Sequence, residues 1–496
     1  NDFAKAVPWH VVLTAMRDLR TGFYMVPAGT YGYGSCGNEA SLQIRMLDYL
    51  GYHDYAEKYL ETFIQSQGKG SMDGNFRAND GALVANNYGG YSDNTTSLFA
   101  YNLDHGYILN CLVDHYRLTG NREWLTRIAP VLVKACDYIF DERQATMLTG
   151  EDGEKVSYFG LMPHGHLEDN PEWRCWFAVN AHACGGILNA AEVLAEIGSP
   201  EAARIMEAAQ AYRSDIRACV SRAMAKSPVV PTGNGGYMPH VPTQAEIRGR
   251  DWGWFREVAY GPLHLVTGRV LDPDEDVTTW ILRDQEDNLF LSRDYGRAVD
   301  REKHWFSRGG MTIQSNLLFN DMVYLQRGES GRAIRGLFNN FAQNLYRDVN
   351  CFSEHPITDF GKGFGPFFKT PDEAQFINNM RNHLIREEGK ALYLLQGAAQ
   401  GWFAAGQTLR FEGMATWFGK VSLELQVSED GDTIRANLEA GWRDVPEKAV
   451  LYVRRPDGRT PRQVLLDGAP LATDTWAGEK LTIANPKGKI ALTFQY

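Results

Sequence analysis

The sequence predicts a mainly α chain: an (α/α)6 toroid of about twelve helices, followed by a C-terminal antiparallel β-sandwich. Three observations carry this. Nearly charge-free helical segments alternate with amphipathic ones, long loops alternate with short ones, and near residue 381 the hydrophobic period changes from helical to two. With 496 residues the chain is larger than one ordinary core, so it needs a repetitive architecture or several domains.

The segments 105–118, 177–194, 252–266 and 310–325 carry few charges, as expected of helices surrounded by protein. Between them, 55–66, 122–140, 200–224, 273–284 and 329–346 are amphipathic. In 122–140 the apolar stripe runs through Trp124, Leu125, Ile128, Val131, Leu132, Ala135, Tyr138 and Ile139. Segments 8–18, with Pro8 in its first turn, 39–50 and a short 372–380 complete six helical hairpins. Short links follow each apolar helix (51–53, 120–121, 198–199, 268–272 and 328). Long loops precede it (19–37, 67–103, 144–175, 227–251, 288–309 and 347–371), which puts all the long loops on one face. From 381 onward, about eight short strands separated by Gly, Asp and Pro turns predict a sandwich. The expected domains are 1–380 and 381–496.

Composition narrows the function. A net charge of −11 argues against nucleic-acid or anionic-membrane surfaces, and no run of 18 apolar residues predicts a membrane span. Aromatic residues make up 12% of the chain, with 12 Trp and 23 Tyr, and suit a carbohydrate partner as well as a large core. Seven Cys without a CxxC indicate neither a zinc ribbon nor a disulfide framework. The twelve His, among them His164, His166 and His182, form no ligand spacing, so neither a metal nor another cofactor is expected. The chain begins at Asn1 without Met, which reads as a processed form or a fragment; a secreted or periplasmic location is favoured over a cytoplasmic one.

Candidate chemistry lies where the long loops meet the apolar helices. The loop 158–176 gathers His164, His166, Glu168, Asp169, Glu172, Trp173, Arg174 and Trp176. Other junctions supply Asn38 and Glu39, Asp104 and His105, Asp251 and Trp252 through Glu257, Arg308 and Gln314, and Glu354, His355 and Asp359. Helix capping is the plain alternative for Glu39 and Asp104. Glu257 either satisfies partners in the core or carries a raised pKa suited to proton donation. Hydrolysis of a glycosidic bond needs one protonated and one ionised carboxyl group across the scissile bond. Asp169 and Glu354 come from opposite long loops and would leave room for a water, hence inversion.

The segments 32–60 (GYGSCGNEASLQIRMLDYLGYHDYAEKYL), 102–109 (NLDHGYIL), 160–169 (GLMPHGHLED), 251–261 (DWGWFREVAYG), 307–319 (SRGGMTIQSNLLF) and 352–355 (FSEH) resemble the six-hairpin glycosidases, which include glucoamylase-like and α-L-rhamnosidase-like enzymes. The resemblance implies a glycoside hydrolase acting on an oligo- or polysaccharide. It places the general acid on Asp169, with Glu168, Glu172 and Glu257 as rivals, and the base on Glu354. Glu39, Asp104 and His105 would hold sugar hydroxyls. The chain departs from the pattern at 36–39, where CGNE replaces the Trp-Arg-Asp of many members. Two alternatives stay open: a polysaccharide lyase drawing on Asn180, His182, Tyr260 and Arg308, and a glycan-binding protein without activity.

Overall fold

The computed structural model describes residues 2–19, 21–30, 34–88, 96–100, 102–168, 170–251, 255–289, 315–355, 364–471 and 475–496. Twelve α-helices lie among them: α1 (Asp2–Thr14), α2 (Gly37–Tyr49), α3 (His53–Ser66), α4 (Asn102–Thr119), α5 (Arg122–Arg143), α6 (Phe177–Glu196), α7 (Ala202–Lys226), α8 (His264–Thr267), α9 (Asp276–Asp284), α10 (Asn320–Gln326), α11 (Ser330–Asn344) and α12 (Thr370–Leu384).

The predicted division between enclosed and solvent-facing helices follows their composition. In α6 nearly every residue from Phe177 to Leu194 is buried, whereas α7 buries one stripe, Ile205, Ala209, Tyr212, Ile216, Cys219, Val220 and Ala223. The N-terminus of α5 is capped by the Asn121 side chain, which accepts from Trp124 N at 3.0 Å. The enclosed helices touch in sequence, α2 against α4, α4 against α6 and α6 against α8, while α12 packs on α2. One hydrophobic cluster runs from Phe3 to Ile377 through all of them. Where α4 crosses α6, a Cβ at Gly106 would stand 2.5 Å from the His182 carbonyl carbon, so only glycine permits this approach.

Two enclosed segments are not the continuous helices expected. Of 252–266, the described part is a π-helical turn, Phe255–Ala259, a break at 260–263 and the short α8. Pro262 has no N–H to continue the ladder, and its ring disfavours helical backbone at Gly261. Of 310–325, the described part is a 3-10 turn, Ser315–Leu317, followed by α10. Pro8, expected in a first turn, lies inside α1.

The C-terminal strands form two sheets. The six-stranded sheet has the order Thr408–Thr416, Gly419–Val427, Thr433–Trp442, Lys489–Gln495, Gln463–Leu466 and Ala469–Pro470. The five-stranded sheet has the order Ile385–Glu388, Ala391–Leu394, Lys448–Tyr452, Lys480–Ala484 and Trp476–Ala477. Alternation is plain in Thr433–Trp442, where Ile434, Ala436 and Leu438 are buried while Arg435, Asn437 and Glu439 face out. Both sheets feed a second hydrophobic cluster, from Ile385 to Tyr496. The expectation of a wholly antiparallel arrangement needs one correction, because Ala391–Leu394 and Lys448–Tyr452 pair in parallel. Between these strands the chain builds three of the six strands of the other sheet, so it returns by a crossover, and period-two alternation carries no information about strand direction.

The helical and strand-rich parts are in direct contact. Gln396 Nε2 donates to Leu325 O at 2.7 Å, and Arg454 donates to Ser330 Oγ at 2.8 Å. Arg443 donates to Arg117 O at 2.5 Å, and the Arg117 guanidinium lies over the Trp417 ring. The sequence boundary at 380/381 falls inside α12, which runs straight into the strand Ile385–Glu388. Arg381, in its last turn, is buried against Ile385 O, Glu387, Ala415 O and the Tyr49 ring. Among the described residues, no helix is long and apolar enough to cross a membrane.

Candidate active site

The loop 158–176 folds as a small hairpin, Gly165–Leu167 against Asn170–Arg174. It is laid onto the second long loop: His166 N donates to Asp73 O at 3.0 Å, and Asn75 N donates to His164 O at 2.8 Å. Asn102, at the start of α4, donates to His166 O at 2.5 Å, and a Cβ at Gly165 would overlap that amide. Glu168, at the tip, has φ +44, a left-handed conformation that costs a non-glycine residue about 1–3 kcal/mol.

That tip meets the N-termini of α2 and α4. Glu168 accepts from Asn38 Nδ2 through one oxygen and from the Tyr260 hydroxyl through the other. Asn38 N donates to Asp104 Oδ1 at 2.8 Å. At the same end of α2, Glu39 accepts from Asn316 Nδ2 at 2.7 Å and from Lys369 Nζ at 3.0 Å. Lys369 Nζ also lies 3.2 Å from Glu354 Oε1, so one ammonium bridges two carboxylates. Glu39, Asp104, Glu354 and Lys369 are all buried.

The electrostatics follow from that burial. Desolvation alone would lower the Lys369 ammonium, but Glu39, Asp372 and Glu354 together hold it above the ordinary lysine value. Burial pushes Asp372 well above the usual carboxylate range, against the pull of Lys369 and with Glu39 adding to the rise. Burial and the carboxylates of Glu39, Asp104 and Glu168 likewise hold the Cys36 thiol high.

A second polar cluster lies around the π-helical turn. Burial raises Glu257 to about 7, opposed by His240, the Asp251 N–H and Arg250. His240 lies between Glu257 and Asp284, at 3.6 and 3.3 Å, and Arg250 reaches both carboxylates. Asp251 donates its N–H to Glu257 at 2.6 Å, while its carboxylate accepts from Thr243, Gln244 and Arg256. Arg256 also pairs with Glu172 at 2.5 Å.

The structure thus brings Glu39, Asp104, Glu168 and Glu354 together and sets Glu257 and Asp251 in the neighbouring network. His105 differs from its expected sugar-binding role. Its Nδ1 accepts from Leu83 N at 3.0 Å, its Nε2 lies 3.1 Å from Ala135 O, and burial lowers it to about 4. Trp176 is buried, donates to Gly165 O at 3.1 Å and lies beneath Arg256, so it is a wall behind the loop. His166 is partly exposed and pairs with Asp73 at 2.8 Å. Asp169, Trp252, Arg308 and Gln314 lie outside the described residues.

Three of the four groups that a lyase would draw on, Asn180, His182 and Tyr260, are engaged elsewhere. Asn180 accepts from Met162 N and Tyr212, His182 pairs with His264 at 2.8 Å, and Tyr260 holds Glu168. Sequence reasoning missed Lys369 and Asn316. The available signal was Lys369 just before a helix opening Thr-Pro-Asp-Glu, where the helix dipole disfavours a cation unless anions hold it.

No family model matches the sequence, and no curated protein is similar to it in sequence. In three dimensions the chain is similar to alpha-L-rhamnosidase from Dictyoglumus thermophilum, with a TM-score of 0.56 and 9% identity. That match covers 100% of this chain and 49% of the rhamnosidase, so the chain spans about half the length of that protein. It also aligns with a GH127 beta-L-arabinofuranosidase from Geobacillus Stearothermophilus T6 (TM-score 0.41, 13% identity, 94% of this chain and 73% of that one). A third alignment is with a structure described as a wild-type glycosidase (TM-score 0.47, 14% identity, 77% and 96%). On the first of these likenesses, the chain has a six-hairpin-glycosidase-like fold.

Proposed function

We propose that the chain is a glycoside hydrolase that cleaves an oligo- or polysaccharide with inversion, in a helical domain closed as an (α/α)6 toroid (1–380) and backed by a β-sandwich domain (381–496). The observation that carries this reading is the Glu39–Lys369–Glu354 bridge beside the Asn38–Glu168–Tyr260 cluster. Carboxylates from the first enclosed helix, the third long loop and the sixth long loop converge at one end of the helices. Ring closure is supported by the contact of α12 with α2 and by Phe319, whose ring lies 5.0 Å from His264.

In this reading Glu354 is the base. Lys369 favours its ionised form, so it can take a proton from the attacking water. Two donors on Glu168 likewise favour its ionised form, which suits a group that orients sugar hydroxyls better than one that gives up a proton. The acid is then Asp169, next in the chain, protonating the leaving oxygen from the other side. Glu39, Asp104, His166, Trp252, Arg308 and Gln314 would line the sugar-binding space.

The test is a glycan-panel screen for released reducing sugar, followed by E354Q and D169N. Each should lower kcat by about 10²–10⁴-fold with the fold intact by circular dichroism, and NMR of the first product should show the inverted anomer. Full activity in both variants overturns the assignment.

A further inference from the structure

The hairpin that presents Glu168 is bracketed by His164 and Cys175. Gly165 pairs with Arg174, so these two residues stand opposite one another one step further out, at the hairpin's base. Cys175 Sγ lies 3.5 Å from His164 Nδ1, and His164 Nε2 lies 2.6 Å from Glu246 Oε1. Glu246 also accepts from Cys175 N at 3.4 Å. It arrives from a separate segment, held by the bridge between Trp176 and Gln244. The Tyr158 ring packs edge-on against the imidazole at 4.7 Å and fixes its plane.

We propose that His164, Cys175 and Glu246 form a binding site for a divalent transition metal of the zinc class, which clasps the base of the hairpin carrying Glu168. One donor atom from each of the three lies within 4.8 Å of the other two. Metal–sulfur and metal–nitrogen bonds of about 2.3 and 2.0–2.1 Å at a tetrahedral angle place those donors roughly 3.6 Å apart. The thiol–imidazole distance already has that value. The Glu246 carboxylate sits on Nε2 at 2.6 Å and accepts from Cys175 N, so it joins the donors by leaving the imidazole and turning toward the thiol side. Three protein donors leave a fourth position for water. A thiolate and an imidazole select a zinc-like ion over calcium or magnesium, which take oxygen donors.

The other group of three possible donors among the described residues, His240 with Glu257 and Asp284, already contains the Arg250 guanidinium and has no need of a metal. At Cys175, burial and the nearby Glu246 carboxylate hold the thiol well above its ordinary value. Uptake therefore transfers the thiol proton to solvent as the sulfur–metal bond forms, with no change of oxidation state, and affinity falls as pH is lowered.

The experiment uses the full chain, stripped with a chelator, desalted and titrated with Zn2+ by calorimetry and with Co2+ by absorption. The expected result is one ion per chain, a thiolate-to-cobalt charge-transfer band and proton release that scales with buffer ionisation. C175S should remove the band, and H164Q and E246Q should each weaken binding by about tenfold or more. E246Q alters the most exposed of the three residues and keeps the test valid if C175S does not fold. Absence of saturable binding to the native chain overturns the proposal, as does unchanged binding in H164Q and E246Q. Because metal content is read without turnover, this result is independent of whether the chain hydrolyses a glycoside.

Discussion

Lys369 is buried between Glu39 and Glu354, and its ammonium favours the ionised form of both carboxylates. If Glu354 is the base, K369M removes the cation that favours its ionised form. The acid limb of the kcat/KM profile should then move upward by about one to two pH units, with K369R recovering part of the shift. An unmoved acid limb would separate Lys369 from the proton chemistry. Glu257 supplies a second pH signature. Its folded value, about 7, stands above the ordinary 4.5. Between those values the unfolded chain has lost the proton that the folded chain keeps, so this group makes stability fall as pH rises through that window. Below 4.5 the penalty is absent, and above 7 it is fully present. E257Q should flatten the dependence of Tm on pH between 4.5 and 7, which differential scanning calorimetry can read.

Among the elements, the close approach of α4 and α6 depends on one missing side chain. G106A places a methyl group against the His182–Ala183 backbone, and the helices must separate. The expected loss is about 1–3 kcal/mol in urea unfolding. Helices such as α5, α6 and α7 were legible because an apolar stripe, or an all-round apolar surface, is a property of consecutive residues. The region around Tyr260 was not, since apolar composition predicts burial there while Pro262 decides the backbone. Glu39, Asp104 and Glu354 were legible from their place at helix starts and loop ends. Lys369 and the His164–Cys175–Glu246 group were not, because Glu39 and Glu246 lie far away in sequence and only the folded chain brings them to these loops.

For the whole molecule, polar contacts join the two cores. Gln396 satisfies the Leu325 carbonyl at the end of α10, and Arg443 satisfies that of Arg117 at the end of α4. The native chain should therefore unfold in a single transition, with helical ellipticity and tryptophan fluorescence changing together. The double variant Q396L/R443A leaves those helix ends without these donors, and the two signals should part, one core melting before the other. Coincident transitions in that variant would mean that the contacts left in place, the Arg381 elbow and the Arg454–Ser330 bond among them, suffice to couple the halves.

The elbow itself is Arg381, whose guanidinium belongs to α12 while its counter-ion, Glu387, belongs to the first strand beyond it. A chain cut after Leu384 would keep a buried cation and lose the anion that neutralises it, leaving the stub with an ionised group in an apolar setting. The helical half is therefore not a cassette that gene shuffling could lift out and graft elsewhere. Any recombination that preserves it has to carry the opening strand along, and the crossover has to fall beyond Glu387.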